Sequence, residues 1–259
     1  MKGARLIPSP LRGEGWGEGG FWRHDEFFIM KFPSPLTEGV LIQRYKRFFA
    51  DVRLANGKIV VAHCANSGSM MGVKEPGSKV WLSPSLNPAT KLRWKWELIE
   101  IGDFKVGINT MHPNRIVEEA VRAGEIPELA GYANLKREVK YGTNSRIDLL
   151  LEGPGLCYVE VKNVTLKRGP LAQFPDAVTE RGTKHLHELI REVKQGNRAV
   201  MLYLAQRADC AAFSIAADID PEYAGVLEKA VKSGVEALCY QCRLSETEIR
   251  LDRPLAMKL

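Results

Sequence analysis

The chain has 259 residues, 45% of them hydrophobic and 26% charged, with 37 Lys and Arg against 31 Asp and Glu. That composition excludes a disordered tail, a collagen-like fibre and a membrane bundle, since no stretch reaches the ~20 uncharged apolar residues a span requires. Five dispersed cysteines (Cys64, Cys157, Cys210, Cys239, Cys242) do not make a disulfide framework, and no signal-peptide pattern precedes them, so the expectation is a soluble protein of the reducing cytoplasm.

Residues 1–29 contain LIPSPLRGEGWGEGG, which is punctuated by Pro and Gly and has neither helical nor strand period. Such a leader cannot bury enough apolar surface to offset its ordering entropy, so it is expected to be disordered. Met30 opens MKFPSPLTEGV like the natural start of a domain, which points to a misplaced start site. The positive charge is also local. Residues 31–112 carry twelve basic and six acidic side chains, while the flanking segments are balanced. An excess confined to one segment suggests an anionic partner there, most often nucleic acid; the alternative is a solvated basic surface.

From Gly39 to Thr110 the signals are β. VLIQRYKRFF and DVRLANGKIVVAHC flank tight turns, and Asn56-Gly57 is a strong hairpin signal. In KLRWKWELIEI, Leu92, Trp94, Trp96 and Leu98 alternate with Lys91, Arg93, Lys95 and Glu97, which predicts one apolar and one charged face. Short strands at close spacing suggest a five-stranded oligonucleotide-binding (OB) barrel over 30–112. Barrels of this kind bind single strands through a basic groove, and Arg44, Lys46, Arg47, Lys91, Arg93 and Lys95 are the candidates for phosphate contact. Trp94 and Trp96 read as core rather than as stacking platforms, and His63 as a partly buried structural residue.

The second half, 113–259, alternates helices and strands. RIVEEAVRA has a helical apolar face, with Asn114 as its expected N-cap and Gly124 as its stop. Three strands, LKREVKYG, SRIDLLLE and LCYVEVKNVTL, are followed by a helix from Arg181 to Gln195. RAVMLYLAQR reads as a strand covered on both faces, AFSIAADI as another strand, PEYAGVLEKAVKSG as a helix and VEALCYQCRL as the final strand. This order argues a mixed central sheet, and the whole chain is assigned to the α+β class, a barrel followed by an α/β domain. Cys239 and Cys242 form a lone C-x-x-C, read as two ordinary thiols.

The chemistry is concentrated in the middle strands. Asp148 is followed after eleven residues by Glu160-Val161-Lys162, and Glu160 and Lys162, two apart on a strand, share a face. Their apolar surroundings predict burial, and a buried acid or lysine is costly unless paired or metal-bound. Mg²⁺ (or Mn²⁺) held by Asp148, Glu160 and the Val161 carbonyl would relieve the repulsion between the carboxylates. Lys162 could then orient or help deprotonate a water for attack on a phosphodiester. A structural ion-pair network is the alternative. In FPDAVTERGTKHL, Asp176, Glu180, Arg181, Lys184 and His185 crowd a helix start, with Arg181 and Lys184 placed for phosphate contact and the acids able to serve the helix dipole instead.

D-x₁₁-E-x-K resembles the active-site signature of the PD-(D/E)XK nuclease superfamily. That resemblance implies a further acid from the preceding helix; Glu118 and Glu119 flank the apolar stripe alike, and Glu119 is taken as the metal ligand. SRIDLLLE, VEVKNVTL, FPDAVTERGTKHLHEL, NRIVEEA and ELAGY resemble the sugar fermentation stimulation protein A family from about Pro33 to the C-terminus. This second resemblance implies an N-terminal OB barrel joined to a nuclease-like domain, DNA binding in preference to RNA, and a regulatory role in sugar (maltose) metabolism. Two functions follow: a Mg²⁺-dependent nuclease with Asp148, Glu160 and Lys162 catalytic, or a non-catalytic DNA-binding regulator on a nuclease scaffold. No helix-turn-helix or glycine-rich phosphate loop supports another class.

Overall fold

The computed structural model describes residues 30–87 and 89–258. The leader over 1–29, with the expected disorder and start-site error, lies outside the described residues. β1 (Met30–Lys31) opens the described chain and is followed by β2 (Thr37–Tyr45), β3 (Phe49–Leu54), β4 (Ile59–His63), β5 (Lys79–Pro84), β6 (Trp94–Ile101) and β7 (Phe104–Gly107). Antiparallel pairings run β4-β3-β2-β5-β6, and a parallel contact of Ala62 with Trp94 and His63 with Lys95 closes a five-stranded barrel. Bulges between Leu41 and Gln43 and between Trp81 and Leu82 supply the bends that closure needs. Gly57 turns the β3–β4 hairpin with a φ of 82°, as the Asn-Gly signal requires.

Trp96 is wholly buried in the barrel core beside Leu41, Val52 and Leu82. Burying an aromatic side chain is worth about 4–6 kcal/mol at 25 cal/mol per Å². The clean alternation expected over 91–101 does not hold. Lys91 and Arg93 precede the strand, Trp94 is half-buried, and Glu97, Leu98 and Ile99 are all buried. The reason is tertiary: Trp96 and Ile99 enter the barrel core, while Leu98 and Trp81 join the core of the second domain. This strand therefore has no continuous basic face.

The second domain starts with α1 (Pro113–Ala123), then β8 (Asn134–Tyr141), β9 (Ser145–Glu152), β10 (Leu156–Val164), β11 (Leu166–Arg168) and β12 (Leu171–Phe174). It continues with α2 (Glu180–Lys194), β13 (Arg198–Ala205), β14 (Ala212–Ile215), α3 (Pro221–Lys232), β15 (Glu236–Leu244), β16 (Glu248–Pro254) and β17 (Ala256–Lys258). The large sheet has the order β1-β16-β15-β13-β10-β9-β8, with β10, β13 and β15 parallel and the outer hairpins antiparallel. A small sheet of β11-β12-β14-β17 lies beside it. Met30–Lys31, grouped with the barrel on sequence, pairs instead with β16 of the large sheet.

α1 packs Ile116, Val117 and Ala120 against one sheet face, and α2 and α3 pack Leu186, Leu189, Val226 and Leu227 against the other. β13, buried at every position from Ala199 to Ala205, lies between these layers. VEALCYQCRL is not the last strand, because EIRLDRP and AMK add two more. In EIRLDRP the buried Ile249 and Leu251 are separated by the single charged residue Arg250, an alternation short enough to pass for a tail. All five cysteines are free and buried. No helix among the described residues is long and apolar enough to cross a membrane.

Candidate functional site

The site forms where β9 and β10 part. Their ladder runs from the Glu152–Leu156 pair to the Leu149–Val159 pair and stops there. At the next position Asp148 uses its carboxylate in place of a strand: Oδ2 accepts the Val161 N–H at 2.8 Å, and Oδ1 accepts from the Asn114 amide of α1 at 2.7 Å. A strand residue turns its N–H and C=O to the same side, so the Val161 carbonyl opens toward Asp148 as well. Asn114 is thus not the helix cap. His112 holds that position without a side-chain cap bond, and Pro113, at the first helical position, has no N–H to satisfy.

Glu160 is 2% exposed and faces the same way. Its Oε1 accepts from Lys162 Nζ at 2.7 Å and makes a short bond with His185 Nδ1 of α2, while its Oε2 is buried with no hydrogen-bond partner. Arg181 Nε lies 3.4 Å from His185 Nε2, which it can reach only as donor. Lys162 Nζ also lies 3.2 Å from His185 Nδ1, so a cationic donor stands at each ring nitrogen. Burial, and next the negative Glu160, push the Asp148 carboxyl up to about 6. For Glu160 burial acts in the same upward direction, but the Lys162 charge and the His185 bond outweigh it and hold the group below the ordinary carboxylate range. The two acids are thus driven apart by environment.

These groups line an open cleft of about 520 Å³ with walls from both domains. The barrel contributes the loop Asn66–Gly68, tied to the second domain by Ser69 Oγ donating to the Asp176 carbonyl at 2.6 Å and Met70 N–H donating to Asp176 Oδ2 at 2.9 Å. Gly68 is required there, since a Cβ would stand 2.9 Å from Asp176 Oδ2. Glu138 also lines the cleft, held at a φ of 52° that costs a non-glycine residue about 1–3 kcal/mol.

Of the residues singled out on sequence, Asp148, Glu160, Lys162, Asp176, Arg181 and His185 meet in this cleft. Glu119 is not among the residues that line it: its Oε1 takes a 2.6 Å bond from Arg115 on the same helix, its Oε2 is buried without a hydrogen-bond partner, and it is Asn114 of α1 that reaches Asp148. Lys184 is not among the residues that line the cleft and lies 3.8 Å from Glu188. Arg44 donates to the carbonyls of Asn66 and Gly68, so it buttresses the cleft loop. Lys46 and Arg47 are exposed at the β2–β3 turn with φ of 47° and 62°. Lys91 and Arg93 are exposed ahead of β6, and Lys95 lines a second groove beside His63. Sequence reasoning missed the roles of His185 and Asn114. A weak signal existed for His185, which lies one helical turn after Arg181 and so shares its face.

The donor set suits a hard divalent cation. Among the described residues no three His, Cys, Asp or Glu side chains cluster as a metal cage. The Asp148 carboxylate, the Glu160 carboxylate with its unpartnered Oε2, and a peptide carbonyl nonetheless match the one or two carboxylates plus water by which Mg²⁺ is held.

Fold and site together define a class: a closed OB-type barrel docked on an α/β domain, with two carboxylates and a lysine in the cleft between them. Residues 42–108 match the family model described as the SfsA N-terminal OB domain, and residues 111–248 match the sugar fermentation stimulation protein RE domain. A sugar fermentation stimulation protein homolog of Paramagnetospirillum magneticum is 61% identical over 232 residues, spanning 89% of this chain and 98% of that protein. One from Geobacter metallireducens is 56% identical over 232 residues, spanning 89% of this chain and all of that protein. The structure of Pyrococcus furiosus SfsA in complex with Ca²⁺ superposes with a TM-score of 0.82 at 27% identity, over 89% of this chain and 99% of that one. This chain belongs to the sugar fermentation stimulation protein family.

Proposed function

We propose that the cleft is a divalent-metal-dependent phosphodiesterase site acting on nucleic acid, DNA in preference to RNA, with Mg²⁺ or Mn²⁺ as cofactor. The observation that carries this reading is the buried, unpartnered Glu160 Oε2 beside Asp148 and Lys162 in an open cleft. A buried carboxylate oxygen without a partner is costly, and a cation supplies what it lacks. The Ca²⁺ bound by the Pyrococcus relative supports a hard-cation site in this fold. The resemblance of D-x₁₁-E-x-K to the PD-(D/E)XK signature supports the chemistry.

When bound, the cation would polarise phosphoryl oxygens and lower the pKa of a coordinated water. The chain's own groups do the rest. Asp148 and Glu160 are the ligands, with Asp148 oriented by Asn114 and the Val161 N–H. Lys162, 13% exposed at its side chain, donates to Glu160 as an ammonium group, lies 3.2 Å from His185 Nδ1 and lines the cleft, where it can bind a phosphate oxygen or orient an attacking water. His185 pins Glu160 and is itself held by Arg181, whose guanidinium lines the cleft as a phosphate contact.

The test compares wild type with Lys162→Ala on labelled single- and double-stranded DNA and RNA in Mg²⁺, Mn²⁺ or EDTA. Metal-dependent cutting that vanishes in the variant while binding persists is expected. Binding without cutting under every metal would overturn the catalytic reading and leave a nucleic-acid-binding protein.

A further inference from the structure

A second groove, about 450 Å³, lies across a single ridge from the cleft. Met111 is that ridge. It is 73% exposed and lines both depressions, while Thr110 and Asn114 face the cleft and His112 and Arg115 face the groove. The groove's charge is one-sided. Lys31, Lys95 and Arg115 line it, Arg115 being paired with Glu119 behind it; the only acid lining it among the described residues, Glu97, is 3% exposed and closed off by bonds from Ser83, Asn109 and His112. Its walls are apolar: Pro33, Pro84 and Leu86, the last 72% exposed. Cations along an apolar trough fit a chain of phosphates whose bases are unpaired and free to pack.

An aromatic pair borders the groove. His63 lines the groove and pairs in the sheet with Lys95. Phe48, on the β2–β3 turn and 45% exposed, stacks on His63 at 6.5 Å between centroids and 16° between planes. Beside it stand the exposed Lys46 and Arg47. Hydrophobic exposure of this size on a turn tip serves no core, and a half-open ring backed by an imidazole presents a face for a base. In chain order β3 and β4 are the second and third barrel strands, and the β2–β3 and β5–β6 loops flank them, which is where barrels of this kind take oligonucleotides.

We infer that Phe48, His63, Lys95, Lys31 and Met111 form one track for a single-stranded nucleic-acid segment, running from the barrel tip over the Met111 ridge into the Asp148–Glu160 cleft. The substrate is then a strand that is unpaired on the barrel side of the reacting phosphate. A rigid duplex would have to cross the ridge with its bases stacked away from Phe48 and the trough. The direction of the track rests on the phosphodiester reading of the cleft; binding along it does not.

The test is fluorescence anisotropy on the full chain in EDTA, with labelled single-stranded DNA, single-stranded RNA and blunt duplex DNA. The DNA and RNA arms show which single strand is preferred. Phe48→Ala is expected to weaken single-strand binding about 5- to 150-fold, the value of one base–aromatic stack. Phe48→Trp should restore it, and neither should change duplex binding. Lys95→Glu is expected to weaken single-strand binding and flatten its salt dependence by about one phosphate contact or more. Wild-type single-strand affinity in both Phe48→Ala and Lys95→Glu, or a preference of wild type for blunt duplex, overturns the track. Loss of cutting in Lys162→Ala with the track intact, or an intact chain that binds single strands through Phe48 and never cuts, separates the fate of the track from that of the catalytic reading.

Discussion

Asp148→Asn, a change that removes one negative charge from the cleft, is expected to stabilise the metal-free protein at pH 8. In the fold the Asp148 carboxyl is pushed up to about 6 by burial and by Glu160, against an ordinary 3.8. A difference of that size costs about 3 kcal/mol once the group is fully ionised. The sign follows from proton binding. Between about pH 4 and 6 the folded state holds a proton that the unfolded chain has already released, so wild-type stability falls as pH rises through this window and stays low above it. Below about pH 4 both states are protonated and the penalty is absent. Asparagine avoids the penalty without losing the local bonds: its Oδ1 can keep the Val161 N–H, and its Nδ2 can donate to Asn114 once that amide turns its oxygen inward. Urea unfolding in EDTA at pH 4, 6 and 8 measures the effect. The variant should match wild type at pH 4 and exceed it by about 2–3 kcal/mol at pH 8. Equal or lower stability of the variant at pH 8 would refute the claim that the cleft stores electrostatic strain.

The same strain predicts that Mg²⁺, Mn²⁺ or Ca²⁺ raises the Tm of wild type at pH 8 and leaves Asp148→Asn unmoved, a contrast that differential scanning calorimetry reads directly. Glu97→Gln should destabilise by about 2–4 kcal/mol at neutral pH, because burial is offset at Glu97 by charge-assisted bonds from His112, Ser83 and Asn109 and glutamine cannot accept them all. Those bonds hold Glu97 below its ordinary value against the pull of burial, so their contribution is present at neutral pH and is lost as pH falls through the carboxylate range; the deficit of the variant should shrink in acid unfolding curves. Gly68→Ala should cost about 1–3 kcal/mol by denaturant unfolding, since the new Cβ meets an Asp176 carboxylate that Ser69 and Met70 hold in place. A stability equal to wild type would show that the barrel loop yields freely.

The strands and their facing residues were legible in the sequence wherever one local pattern had one cause. SRIDLLLE forms β9 as read, and Glu160 and Lys162 share a face because strand period alone puts them there. The all-apolar run of β13 reports burial on two sides, and the Asn-Gly turn reports a hairpin. The two-domain order and the confinement of positive charge to the first of them were likewise open to inspection.

Tertiary structure decided what opposes each of those faces. Glu118 and Glu119 flank the α1 stripe alike; packing then brings Asn114 to Asp148 and leaves Glu119 with Arg115. Lys95 and Arg44 look equivalent on sequence, but barrel closure puts one in the groove beside His63 and turns the other beneath the cleft loop. Leu98 breaks the expected alternation of β6 because the second domain covers it, a fact no barrel-local pattern contains. His185 reaches Glu160 across 25 positions of chain, and Asp176 reaches Met70 across 106. Periodicity records which side of its own element a residue occupies; the partner on that side is set by how the elements pack, and the candidate site consists of such partners.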